Sequence, residues 1–383
     1  MANQNKVWPG LAGLFATTIY GLFFLHSENQ AAVIALLAGG GIALGFSAKF
    51  GLLKVVDSSI VANQKVLGLA VIIAVVLLAV ASYEAHYVLL MLTTMLLYST
   101  VCLGLNVQFG YCGVVNFAGA AFFGVGSYTA AVLSTHTAIP HLYVIVGGGL
   151  ISSLIGSLLI LPVLRTRGHY AALITIAFGL LFKTFLEVND TLGGPQGLKI
   201  PGISILGWNL NNNIEIGSLN ISFYVNYLVI ALLICSGTFA LVKRLERSWI
   251  GLSMDIVRLD EIAASTCGIN VGRWKIVAFT LGNFFAGIAG AVYGMMTGFV
   301  APNNFTFGDS LIFVSIIILG GIGNPWGILP AVFIVFLVPE KLQFIQEYRF
   351  LLYAALVILI LLFRPEGILP RRIRDYFPGR NII

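Results

Sequence analysis

Long apolar runs alternate with short polar breaks along the whole chain. Apolar runs cover 7–25, 31–47, 64–82, 86–106, 118–134, 142–164, 169–187, 222–242 and 276–298, followed by a glycine-broken stretch at 309–340 and a last run near 350–363. An α-helix needs roughly 20 apolar residues to cross the hydrocarbon of a bilayer, and most of these runs meet that length. The alternating ten-residue strands of a membrane barrel are missing from the pattern. In 309–340 the glycines between Gly320 and Gly327, with Pro325 fixing a turn, predict two shorter helices packed tightly where they meet. The expected fold is all-α: a polytopic transmembrane helical bundle of ten to twelve spans with broken helices.

Composition agrees. Of 383 residues, 58% are hydrophobic and 9% charged, against about 25% charged in soluble domains. The first run has Lys6 as its flank and no small-residue cleavage site, so it reads as a retained span. The cysteines Cys102, Cys112, Cys235 and Cys267 form no CxxC pair, and the histidines form no HExxH pattern, so no metal or disulfide framework is expected. No nucleophile triad and no GxxxxGK[ST] loop occurs, so any ATP that powers this chain must bind elsewhere.

The net charge is +6, but its placement says more. The loop 243–275 holds Lys243, Arg244, Arg247, Arg258, Arg273 and Lys275, and the tail 364–383 holds Arg364, Arg371, Arg372, Arg374 and Arg380. Lys49, Lys54 and Lys65 lie in 48–65, and Arg165 and Arg167 in 165–168, whereas 188–221 and 299–309 carry almost no basic residues. The positive-inside rule then puts the basic loops and both termini in the cytoplasm. The Gly-, Pro- and Asn-rich segment 188–221 faces outside, as a partner-docking excursion or a plain connector.

Charge inside the spans is scarce. Lys183 and Glu187 lie one turn apart near the end of their span, where long side chains snorkel. An ion-coupled carrier normally has an acid near mid-membrane, and none is evident. Glycine and amides are more informative. Gly104 to Leu133 holds six glycines, with Asn106, Gln108 and Asn116 among them. Such density suits either close helix packing or a broken helix that lines a substrate pathway. On the second reading the pathway candidates are Asn106, Gln108, Asn116, Gly119 and Ser127.

The stretch RLDEIAASTCGIN, Arg258 to Asn270, stands out among these runs. Asp260 suits an N-cap and Glu261 the positive end of a helix dipole, while Gly268 suits the left-handed position past a helix end. The result is a cytoplasmic helix of about two turns, roughly 12 Å long. A helix this short frays alone, so something must pack on it: a groove on another protein, or its own membrane domain.

The residues also resemble a family. From about residue 86 onward the chain is similar to LivM-type permease subunits of bacterial ABC importers for branched-chain and other neutral amino acids. The matching pieces, in order, are GLNVQFGYCG, AAFFGVGSYTAA, RGHYAALITIAFG, GGPQGL, DEIAASTCGIN, GNFFAGIAGAVYG, FTFGDSLIFVSIIILGGIGNPWG and FRPEGI. The resemblance implies a permease domain at 86–363, additional spans at 1–85 and a basic cytoplasmic tail at 364–383. It implies that Arg258, Leu259, Asp260, Glu261, Ala263, Ala264 and Gly268 form a coupling helix that docks on an ATP-binding subunit. The implied assembly has a second homologous permease, two ATP-binding subunits that carry ATP and Mg, and an extracytoplasmic binding protein. Its surroundings would be lipid in a bacterial plasma membrane, with no cofactor or nucleic acid on this chain and no enzyme activity of its own. Many relatives carry Ser and His where this chain has Asn116 and Gly119, which implies altered selectivity if those positions touch substrate. Urea importers use similar permeases and form the alternative within the class; an ion-coupled secondary amino acid carrier and a nontransporting scaffold or receptor are the rivals outside it.

Overall fold

Twenty-odd apolar residues with no breaker fold as helix wherever lipid offers the backbone no other partner. The computed structural model describes residues 7–27, 29–49, 59, 63–166, 169–205, 208–216, 219–342, 348–363, 366–369 and 371. Its helices are α1 (Trp8–His26), α2 (Gln30–Lys49), α3 (Gln64–Ala81), α4 (His86–Asn106), α5 (Gly119–His136), α6 (His141–Leu164), α7 (His169–Val188) and α8 (Tyr224–Glu246). They continue with α9 (Trp249–Leu259), α10 (Glu261–Thr266), α11 (Val271–Thr297), α12 (Phe307–Gly320), α13 (Ile328–Val332), α14 (Val338–Lys341) and α15 (Arg349–Phe363). Among the described residues seven helices are long and apolar enough to span a membrane, and the fold is all-α and polytopic. The basic residues Lys54, Arg167, Arg364, Arg372, Arg374 and Arg380 lie outside the described residues.

Two boundaries depart from the hydropathy reading. Helix α11 starts at Val271 rather than 276, because Asn270 caps it: its Oδ1 accepts the Arg273 N–H at 3.0 Å. Helix α8 runs on to Glu246, with Lys243 and Arg244 in its last turn, where a helix favours cations.

Helix α11 is the axis of the bundle and packs against α4, α5 and α6. The contacts are backbone to backbone. A Cβ built on Gly126 would stand 2.0 Å from the Gly287 carbonyl oxygen, and one on Gly282 would stand 2.6 Å from the Gly104 oxygen. Lipid tails are as apolar as leucine, so helices gain by close approach and dispersion rather than by burial from water. The expected break at 320–327 has the same character, with the Gly327 position closed by the Gly320 carbonyl. Past it, α13 passes through a π turn (Phe333–Leu337) into α14.

The bundle has two distinct ends. One collects the turn at Arg165, helices α9 and α10, the break at 321–327 and Arg371. The other collects Tyr83, His86 and Ser222, and the excursion 188–221. There Leu198 and Lys199 pair antiparallel with Val300 and Phe299, so the two segments hold each other. The Tyr227 hydroxyl, on α8, accepts the Ile203 N–H at 3.2 Å and lies 3.2 Å from the Met295 carbonyl. The excursion is therefore built onto the bundle. Lys183 and Glu187 pair at 3.4 Å on the partly exposed surface of α7.

The glycine packing has a measurable consequence. Gly126→Val is expected to destabilise the purified chain by about 1–3 kcal/mol through overpacking. Gly237, on α8, has open space around it, so Gly237→Ala should hold stability or raise it by up to about 1 kcal/mol through helix propensity. Thermal unfolding in detergent compares the two, and equal effects would contradict the close α5–α11 contact.

Candidate functional site

Helix α4 ends inside the bundle. It widens into a π turn, Val107–Tyr111, and the chain then runs unwound until α5 begins at Gly119. A break in an apolar interior exposes N–H groups that lipid cannot satisfy, at several kcal/mol each. Here four N–H groups, of the break and of the first turn of α5, have protein acceptors. Val114 N–H donates to the Gln108 carbonyl at 2.9 Å and Phe117 N–H to Thr175 Oγ1 on α7 at 3.1 Å. Ala118 N–H donates to Asn116 Oδ1 at 2.9 Å and Ala120 N–H to Ser310 Oγ on α12 at 3.0 Å.

Three buried amides knit the break to α11. Gln108 Nε2 donates to the Phe279 carbonyl at 3.0 Å and to Asn283 Oδ1 at 3.1 Å. Asn116 Nδ2 donates to Gln108 Oε1 at 2.8 Å and to Asn283 Oδ1 at 3.2 Å. Asn283 was not anticipated from the sequence; its signal was a lone amide in the glycine-rich run of α11. Asn106 Oδ1 accepts the Gly323 N–H at 2.8 Å, and Ser127 Oγ donates to the Gly290 carbonyl at 2.6 Å. Gly119 is buried, with room for no more than hydrogen against Leu105, whose Cδ1 would lie 2.9 Å from an added Cβ. The five pathway candidates thus sit within the packed interior of this conformation. Among the described residues, Asn106 Nδ2 and Asn283 Nδ2 are buried donors without a protein acceptor.

The second group of candidates lies at the basic end. Asp260 is extended and its Oδ1 accepts the N–H groups of Ile262 and Ala263, at 2.8 and 3.0 Å. Helix α10 follows for six residues. Gly268 closes it at φ 77°, with the Ile269 N–H on the Ala264 carbonyl at 3.0 Å and the Gly268 N–H on the Ser265 carbonyl at 3.1 Å. Both expected caps are therefore present. Ala264 is fully buried, so it seats α10 on its own chain, beside α9 and α11, and does not offer the open contact surface expected of it. Glu261 pairs with Lys275 at the foot of α11 at 2.5 Å. The open surface carries two large apolar side chains, Leu259 at the end of α9, 76% exposed, and Ile262 on α10, 78% exposed, beside the exposed polar Glu261, Ser265 and Thr266. Asp260, Ala263, Gly268 and Arg258 are also exposed.

Helix α9 was not read from the sequence. It is amphipathic, capped by Ser248, with Met254, Asp255 and Val257 buried. It joins the two groups of residues. The Arg258 side chain covers Gly113, with its Cγ 3.1 Å from where a Cβ would stand. Gly113 has φ 71°, so glycine is required there on both counts. Arg371, which the sequence marked only as tail charge, reaches back into the same place. Its guanidinium bonds both Asp255 oxygens, at 2.6 and 2.8 Å, and the Gly110 carbonyl at 2.8 Å, and it stacks 4.8 Å over the Tyr111 ring. The chain just before it is held by Ile368 N–H on the Leu319 carbonyl at 2.7 Å and by Asn324 Nδ2 on the Leu369 carbonyl at 3.1 Å. One arginine thus bridges the π turn, the break after α12 and helix α9. Among the described residues no three His, Cys, Asp or Glu side chains gather as a metal site.

Both side chains of the Asp255–Arg371 pair are 12% exposed. Breaking it from one side strands a mostly buried charge, so Asp255→Ala and Arg371→Ala should each cost about 3 kcal/mol. The double variant should cost clearly less than the sum, and a double-mutant cycle on thermal unfolding reads the difference. Additive costs would show that the pair does not act as a unit.

Comparison with known proteins places this architecture. Residues 87–362 match the family model described as branched-chain amino acid transport system / permease component. The chain is 32% identical over 292 residues to the high-affinity branched-chain amino acid transport system permease protein LivM of Salmonella typhimurium, covering 73% of this chain and 69% of that protein. LivM of Escherichia coli K12 is likewise 32% identical, over 73% of this chain and 69% of its own. Permease protein BraD of Pseudomonas aeruginosa is 26% identical, over 72% and 92%. No solved structure matches at a significant level. The span pattern, the broken-helix core and these similarities agree, and the chain belongs to the family of branched-chain amino acid transport system permease components.

Proposed function

We propose that this chain is a transmembrane subunit of an ATP-driven importer of branched-chain amino acids and works by relaying motion. The observation that carries the reading is α10: a doubly capped helix, seated by Ala264 and offering Ile262, beside Leu259 at the end of α9, from the basic end of a membrane bundle. Two exposed aliphatic side chains on adjoining short helices suit a groove on another protein. The partner is an ATP-binding subunit, two of which carry Mg and ATP and perform the hydrolysis, and this chain contributes no catalytic group. A second homologous permease completes the membrane part, and an extracytoplasmic binding protein delivers the amino acid at the far end, where 188–221 is built up. The basic end and both termini face the cytoplasm of a bacterium, across its plasma membrane.

In this mechanism closure of the ATPase pair displaces α9 and α10 as one body. The displacement reaches the π turn through Arg371 and Arg258, and the bundle changes the side on which it is open. Family membership supports the substrate class, since the relatives named above are branched-chain amino acid permeases.

Ile262→Asp sets an unpaired carboxylate in the docking face, and Gly268→Arg strains the left-handed cap. In proteoliposomes holding the assembled complex, each should lower branched-chain amino acid uptake at least about tenfold, the equivalent of 1.4 kcal/mol. ATP hydrolysis and the amount of inserted permease should persist. Full uptake by both variants would sink the coupling role of α10.

A further inference from the structure

Between α3, α4, α8 and the 325–329 turn lies a cavity of about 680 Å³. Its walls are apolar for most of their extent. Its mouth, at the basic end, holds Gln64, Lys243, Arg244 and Arg247. Along α3 the lining runs from Gln64 to Val75, eleven helical steps or about 16 Å. That equals about half of the roughly 30 Å hydrocarbon thickness, the depth of one leaflet.

The polar atoms of this slot are placed for a particular ligand. Lys243 pairs with Glu246 at 3.0 Å and Arg247 donates to Gln64 at 2.8 Å, so these residues are held in place at the mouth. Among the described residues, three cations against that one carboxylate leave the mouth net positive. At the inner wall Trp326 stands between Phe239, with ring centroids 4.8 Å apart, and Gly68, where an added Cβ would lie 3.8 Å from the indole. The indole Nε1 is buried and has no acceptor among the described residues. A buried donor of this kind calls for an oxygen supplied by whatever fills the space.

We propose that the slot is a binding site for one anionic phospholipid of the leaflet at the basic end. The headgroup phosphate sits among Lys243, Arg244 and Arg247, and an acyl chain runs along α3 past Gly68. An oxygen of the lipid's ester region accepts from Trp326 Nε1. A zwitterionic lipid fits the same walls but gains less at the mouth, since each basic side chain near an anionic headgroup is worth about 1 kcal/mol. The site stands on the geometry of the slot alone and does not depend on which substrate is transported.

The test uses Trp326 as its reporter. The full chain is placed in phosphatidylcholine vesicles containing graded fractions of phosphatidylglycerol brominated in its acyl chains. The reference vesicles carry brominated phosphatidylcholine at the same fractions. Trp326→Phe is measured in parallel, so that the difference isolates this indole from the other tryptophans. Quenching of Trp326 is expected at roughly tenfold lower mole fraction with the brominated anionic lipid, which corresponds to 1.4 kcal/mol. Arg244→Ala should raise the half-quenching fraction about fivefold, and adding Lys243→Ala about fivefold more. Arg165→Ala, at the same end but outside the slot, should leave it unchanged. Gly68→Phe should remove quenching by both lipids. Equal quenching by the two lipids would overturn the proposal in favour of a nonselective lipid contact. No quenching by either would overturn it in favour of a slot covered by another protein subunit.

Discussion

A helix broken inside an apolar bundle must find partners for every backbone group it exposes, and this requirement organises the molecule. The gap between α4 and α5 and the first turn of α5 expose the N–H groups of Val114, Phe117, Ala118 and Ala120. Their acceptors come from the break itself, from α7 and from α12. At several kcal/mol for each group left open in lipid, the four bonds together exceed any single packing contact in the bundle. They also dictate where the neighbours sit. Thr175 and Ser310 reach the gap only if α7 and α12 approach it, and Asn283 reaches Gln108 and Asn116 only because α11 packs glycine to glycine on α4 and α5. The glycine contacts and the amide network therefore form one arrangement.

The same break ties the bundle to the helices at its basic end. Two ion pairs lie near α10, and their settings differ. Glu261–Lys275 involves a carboxylate that is 57% exposed, and such pairs contribute under about 1 kcal/mol. Asp255–Arg371 is largely enclosed, doubly bonded, and shares its arginine with the Gly110 carbonyl of the π turn. Helix α9 is therefore joined to the broken helix mainly through Arg371, with Arg258 on Gly113 as a second contact. The tail residue is a structural strut between α9 and the core of the bundle.

Much of this was legible in the sequence, for reasons that separate local from distant causes. Hydropathy marks α4 at its observed ends, because a span is set by its own residues and the lipid. Asp260 and Gly268 announce α10 because caps act within a few residues. The meeting of α12 and α13 follows from glycines that only a close backbone contact needs. Helix α9 was hidden because its charges and aromatics make it look like part of a basic loop, and its buried face appears only once α11 and the π turn lie beneath it. Asp255, Asn283 and Arg371 take their roles from partners 116 to 261 residues away; beyond the lone amide at Asn283, nothing local distinguishes them. The amides of the break posed a different difficulty. A polar side chain in a span suits a substrate path and a satisfied interior equally, and only its hydrogen-bond partners decide.

The N-terminal helices lie outside the family match, which begins at residue 87, yet they are joined to the family body by a charge. Lys341, at the end of α14, is 9% exposed, and its ammonium donates to the Leu25 carbonyl at 2.5 Å and the Ser27 carbonyl at 3.3 Å. Those carbonyls close α1, where the helix dipole is negative. The cation also stands 5.6 Å over the Tyr87 ring of α4. Withdrawing α1 would leave a buried ammonium short of acceptors, a cost of several kcal/mol in apolar surroundings. Phe24 against Phe333 adds an apolar contact beside it, with centroids 5.5 Å apart. At the opposite end, Arg247 on Gln64 ties α3 to α8. The added helices are thus pinned at both ends of the bundle and move with it. Because α3 is fixed by these ties rather than by continuous packing, a leaflet-deep space remains between it and α4 and α8. The extension thereby creates a lipid-facing slot that the family body alone does not enclose.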